Sequence, residues 1–180
     1  MRTGSSRDRA RRTAEDGALL CGALALSYLE ALIPLTAILP LPGAKPGLAN
    51  LAVMLAAYRY SMADAAAVSL ARILLSALLF GSVPSMAFSA AGACCSLLVL
   101  ALLRRHPGLP VSFIGISALC AAAHNLGQLG CAVLWMHETS LLGYAPALLG
   151  MAALFGSLTG LLMNIISPRL LRLPESGGGI

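Results

Sequence analysis

Seven polar side chains interrupt an otherwise apolar sequence where their chemistry would count: Glu30, Lys45, Asn50, Arg72, His124, Asn125 and Gln128. One carboxylate, two cations, one imidazole and three amides suit the binding of a small, hydrogen-bonding solute. They do not supply the paired carboxylates or the Ser-His-Asp set of a hydrolase. Lys45 is the only lysine and sits in PGAKPGLAN, residues 42–50, a stretch stiffened by Pro40, Pro42 and Pro46. Proline fixes φ, glycine permits close backbone approach, and residues 47–58 read as a helix with Asn50 in its first turn. The free N–H groups and partial positive charge of such a start make an anion-binding corner beside Lys45. The plainer reading is a capped turn with a snorkelling lysine. His124 and Gln128, spaced i, i+4, share a helix face with Asn125 at its flank. Singly, each reads as an interhelical hydrogen-bond clamp worth about 1 kcal/mol per bond. Glu30 and Arg72 likewise read as a mutually neutralising pair.

The elements that must position these residues follow from composition. With 58% hydrophobic and 11% charged residues and a mean hydropathy of +0.85, the chain has the balance of a polytopic membrane protein. A spanning helix needs about 20 mostly apolar residues. That rule divides the chain into segments near 17–33, 47–59, 62–80, 84–103, 112–136 and 141–166. The second is short, which keeps a five-helix arrangement with a re-entrant segment open beside the six-helix one. The run 17–33 contains Glu30, lacks a small-x-small cleavage site and is followed by further apolar segments, so it reads as a first span and not as a leader. Residues 1–16, with five arginines and no apolar period, read as a disordered basic cytoplasmic tail, residues 17–166 as the transmembrane domain, and 167–180 as a flexible cytoplasmic end.

Charge then orients the bundle. Six spans with both termini cytoplasmic put ten of the twelve basic residues inside, Lys45 alone outside and Arg72 within the membrane. In that orientation Glu30, Asn50, Arg72, His124, Asn125 and Gln128 all lie at mid-depth or above, beneath the loop that bears Lys45. Ionisable groups at that depth are expensive, and their convergence on one level points to an outward-opening cavity. Small residues such as Ala65-Ala66-Ala67 and Ala121-Ala122-Ala123 should let the helices pack closely. On the first helix Ala18, Gly22 and Ala25 form a small-residue stripe directed away from Glu30, suited to a partner, whereas Ala23, Ser27 and Ala31 share a side with Glu30 and face the interior.

Several classes are excluded or disfavoured. The lysine is followed by proline, so no phosphate-binding G-x-x-x-x-G-K-[ST] loop exists. Asp8, Asp16 and Asp64 are isolated and cannot form an aspartate-rich magnesium site. The five cysteines, Cys21, Cys94, Cys95, Cys120 and Cys131, have no C-x-x-C spacing and read as packing residues. We expect no enzyme activity, no cofactor, no metal and no nucleic acid.

PGAKPGLAN, Arg72 followed by LLFGS (78–82), GIS (115–117) and HNLGQL (124–129) resemble the Gx transporter family, often labelled heptaprenyl diphosphate synthase component I. The likeness covers roughly residues 17–166 and departs at Pro46, where an apolar residue such as leucine is expected. That family is similar to the substrate-binding S components of energy-coupling-factor importers. The resemblance implies a multi-pass subunit of a bacterial cytoplasmic membrane that captures a small solute from outside, and Lys45, Arg72 and His124 would favour an anionic one. It also implies a transmembrane coupling protein and two ATPase subunits as partners. One alternative is a membrane accessory subunit of heptaprenyl diphosphate and isoprenoid quinone biosynthesis. Another is a solitary proton-coupled carrier using Glu30 and His124 as a relay.

Overall fold

The computed structural model describes residues 6–32, 50–106 and 111–170, and every regular element among them is a helix. In chain order these are α1 (Ser6–Leu32), α2 (Asn50–Arg59), α3 (Met62–Phe80), α4 (Val83–Arg105), α5 (Phe113–Met136), a 3₁₀ segment (Thr139–Tyr144) and α6 (Ala145–Leu170). Three of the helix starts are set by serine caps. The hydroxyls of Ser61, Ser82 and Ser112 accept from the backbone N–H of Asp64, Ser85 and Gly115 at 3.2, 3.3 and 3.3 Å, filling donors the helix itself leaves open. His137 ends α5 in the left-handed region, at φ 53°.

Among the described residues, four helical stretches are long and apolar enough to cross a membrane: Met62–Leu79, Val83–Arg105, Phe113–Met136 and Thr139–Pro168. Their outward leucines, among them Leu78, Leu98, Leu134 and Leu154, are exposed, as expected where lipid and not water is the neighbour. The chain is a helical membrane protein.

Two elements depart furthest from the sequence expectation. First, α1 begins at Ser6, so residues 6–16, expected as part of a disordered tail, are helical. Arginine, alanine and glutamate are good helix formers, and Tyr60 ties the segment down by donating its hydroxyl proton to Glu15 Oε2. Second, α2 has ten residues and so reaches only about 15 Å, half the hydrocarbon thickness. It is an interior element, with Ala52 to Ala57 all buried, which explains an apolar character that runs all round the helix.

Around α2 the long helices close a ring. α3 packs on α4, α4 on α5, α5 on α6, and α2 bridges α6 back to α3, while α1 lies across α2 and α3. Met54, Leu100, Cys120 and Met163 form the core beside α2. A second cluster, Phe88, Leu129, Leu141 and Leu148, fills the opposite end beneath the 3₁₀ segment. Helix contact is closest where side chains vanish: a Cβ on Gly92 would lie 2.7 Å from the His124 carbonyl oxygen and 2.8 Å from Gln128 Cγ.

Arg59, Arg104 and Arg105, in the last turns of α2 and α4, collect at one end. Arg104, in the last turn of α4, donates to the Ala57 carbonyl of α2 and lies 5.3 Å from the centre of the Tyr58 ring. The Glu15 to Tyr60 bond brings the early part of α1 to this end, and Asn164 near the end of α6 lines a pocket here with Arg104.

Candidate polar site at the middle of the bundle

Helical hairpins have equal rise on both arms, so depth can be counted from their turns. Asn50 lies ten residues before Tyr60 and Arg72 eleven after Ser61, which sets both about 15–17 Å from the α2–α3 turn. Arg72 is eight residues before Phe80 and Gly92 nine after Val83, so both stand about 12–14 Å from the α3–α4 turn. Gly92 in turn abuts His124 and Gln128. Asn50, Arg72, His124 and Gln128 therefore occupy one level, contributed by α2, α3 and α5.

Within that level the residues have different surroundings. Glu30 is 2% and Arg72 7% exposed, and the carboxylate acts electrostatically on the guanidinium. Arg72 Nη1 donates to Ser27 Oγ at a long 3.4 Å, while its Nε and Nη2 have no hydrogen-bond partner. Asn50, the first residue of α2 and 8% exposed, likewise has no partner for Nδ2. These atoms matter because buried donors are almost always satisfied, and an unmet one costs about 1–3 kcal/mol, more for a charged group.

His124 and Gln128 are buried on the face of α5 that meets α4 at Gly92, so the expected shared face exists. Asn125 is turned elsewhere. Its Nδ2 donates to the Leu148 carbonyl of α6 at 2.9 Å, joining α5 to α6 in the clamp geometry that was the plainer reading of this residue. Lys45 lies outside the described residues.

Ser27 was legible only as a small residue on the Glu30 side of α1, yet it holds the guanidinium. The usable signal was its i−3 spacing from Glu30, which puts a hydroxyl beside a buried carboxylate on the same inward face. Ala23 and Ser27 are buried on that face, whereas Ala18, Gly22 and Ala25 are exposed. A Cβ at Gly22 would meet nothing within 4 Å.

Chemically, the level offers a cation with two unpaired guanidinium nitrogens, an amide N–H from Asn50, and an imidazole and a second amide on α5. This suits a solute with anionic or carbonyl oxygens. No group of three or more His, Cys, Asp or Glu side chains able to hold a metal occurs among the described residues.

Comparison with known proteins agrees with the motif reading. The family described as heptaprenyl diphosphate synthase component I matches residues 19–166, which is most of the chain. No curated protein and no solved structure matches. The chain belongs to the heptaprenyl diphosphate synthase component I family.

Proposed function

We propose that this member of the heptaprenyl diphosphate synthase component I family is the substrate-binding membrane subunit of an energy-coupling-factor type importer, and that it binds without catalysing. It captures a small, preferentially anionic solute at the level of Asn50, Arg72, His124 and Gln128, with Lys45 and Glu30 contributing from the outer side. The observation that carries this reading is Arg72, a buried cation with Nε and Nη2 unmet. In a membrane such a group is costly unless something periodically pairs with it.

In this reading the chain crosses the cytoplasmic membrane six times, α2 forming the inner half of the second crossing, with both termini and the arginine-rich end cytoplasmic. Energy comes from a coupling protein and two ATPase subunits. The exposed stripe Ala18, Gly22 and Ala25 supports a helix contact there, since small residues let a partner helix approach closely in lipid.

The test is mass spectrometry of small molecules that co-purify in mild detergent, comparing the wild type with Arg72→Ala. A solute retained by the wild type and lost from a monodisperse Arg72→Ala supports the assignment. Identical small-molecule content in the two refutes it.

The family's own description favours a second reading, a membrane accessory subunit of prenyl diphosphate synthesis. Co-purification of a soluble prenyl synthase with the chain, and no ATPase partner, would select that reading.

A further inference from the structure

A cavity of about 480 Å³ opens at the arginine-rich end of the bundle, where α2, α4 and α6 finish and α5 starts. It is separate from the polar level, because Arg104 on its wall lies three turns beyond Gly92, about 18 Å along α4. Its polar lining includes Arg104, His106, Ser112 and Asn164, and its apolar lining includes Phe113 and Ile116. No carboxylate lines it among the described residues.

Arg104 is held in place on this wall. One N–H goes to the Ala57 carbonyl, and the guanidinium lies 5.3 Å from the centre of the Tyr58 ring, which itself is braced edge-on by Phe113 at 5.0 Å. A guanidinium has five donors, so a fork of N–H groups remains to face the cavity. Its orientation is already fixed, and little side-chain entropy is left to lose on binding a ligand. The first turn of α5 opens onto the same space and adds the favourable end of its dipole.

A site with a positioned arginine and an adjacent histidine above aromatic and aliphatic walls, at the end of membrane-length helices, matches an amphiphile at the bilayer interface. Basic pockets between helices at that depth suit anionic headgroups, and the volume lies within the ordinary range for small ligands. We propose that this cavity binds the phosphate headgroup of an anionic phospholipid from the leaflet on the arginine-rich side, with the lipid's apolar portion against Phe113 and Ile116.

The experiment is native mass spectrometry of delipidated protein given equimolar palmitoyl-oleoyl phosphatidylglycerol and phosphatidylcholine, with inorganic phosphate as a competitor. Phosphatidylglycerol should be retained about tenfold over phosphatidylcholine, because both carry the phosphate but the choline cation is repelled by the Arg104 guanidinium and cancels the net charge, a difference of about 1.4 kcal/mol. Arg104→Gln, which keeps a donor for Ala57, should bring the ratio near parity. So should Asn164→Glu, which adds a carboxylate at an exposed position without touching the arginine. Arg59→Gln, at the same end but over the Tyr60 ring, should leave the preference intact. Parity in the wild type overturns the proposal. An equal loss in Arg59→Gln also overturns it, because surface charge alone would then explain the preference. Saturable binding of inorganic phosphate without lipid preference overturns it in favour of a soluble phosphate site.

Discussion

Replacing Arg72 by methionine, alone and together with Glu30→Gln, separates a structural ion pair from a ligand site. Arg72 is 7% and Glu30 2% exposed, so removing the cation alone strips a buried carboxylate of its charged neighbour, a change that costs about 3–5 kcal/mol in other buried pairs. Neutralising Glu30 as well removes that penalty, and the double variant should recover to within about 1–2 kcal/mol of the wild type, since buried pairs are often near break-even against apolar replacements. Ligand affinity should not recover. Nε and Nη2 are the unmet donors, and at about 1.5–3 kcal/mol per charged hydrogen bond, losing one weakens binding at least tenfold and losing both a hundredfold or more. The assays are unfolding in mixed micelles, followed by an equilibrium isotherm with the solute that co-purifies with the wild type. A double variant that regains both stability and wild-type affinity would refute the reasoning, because the pair would then be structural and the solute bound elsewhere.

Asn125→Ala should destabilise the protein by about 1 kcal/mol through loss of the bond to Leu148 O, while solute affinity changes less than in His124→Ala; the same two assays check both. Gly92→Ala places a Cβ 2.7 Å from a backbone carbonyl that cannot swing aside, so α4 and α5 must separate, at a cost of about 1–3 kcal/mol and with reduced affinity, read by micellar unfolding and the isotherm. Gly22→Leu meets no neighbour and should leave folding and equilibrium binding unchanged while abolishing ATP-driven uptake and co-purification of the coupling protein; uptake that survives would move the partner surface elsewhere.

The helices that face lipid were the legible ones. Apolar runs at 62–80, 84–103 and 112–136 correspond to α3, α4 and α5 within two residues at each end, because length and hydropathy are what the bilayer selects. The misjudged start of α1 has the opposite cause. Residues 6–16 are charged and lack an apolar period, so composition suggested disorder, although helix propensity and the Glu15 to Tyr60 bond favour helix. The run 141–166 hid a change of element, since Leu141 and Leu142 belong to the 3₁₀ segment and α6 starts at Ala145. Apolar residues at a bend look the same in sequence as apolar residues in a span. Depth was recoverable by counting, which is why one level could be expected for Asn50, Arg72 and His124. The partners of each side chain were not, because Asn125 to Leu148 and Arg72 to Ser27 depend on how helices distant in sequence are rotated.

That division of partners bears on how a site of this kind can work. Asn125 and His124 are adjacent in sequence, yet the first is committed to α6 and the second faces α4. The amide bond fixes the rotation of α5 about its own axis, and the absence of a side chain at Gly92 sets how near α4 stands, so the position of the imidazole is determined from two sides. Arg72 is constrained far less, by one long hydrogen bond and by Glu30. A solute bridging the two would meet a pre-set acceptor or donor on α5 and an adjustable cation on α3. Its arrival would therefore tighten α1 and α3, the helices that hold Ser27 and the guanidinium. Because α1 also carries the exposed Ala18, Gly22 and Ala25 face, in the proposed function the helix that would sense the solute is also the one that would meet a partner. Under that proposal occupancy would be linked to coupling without requiring movement in α5 or α6.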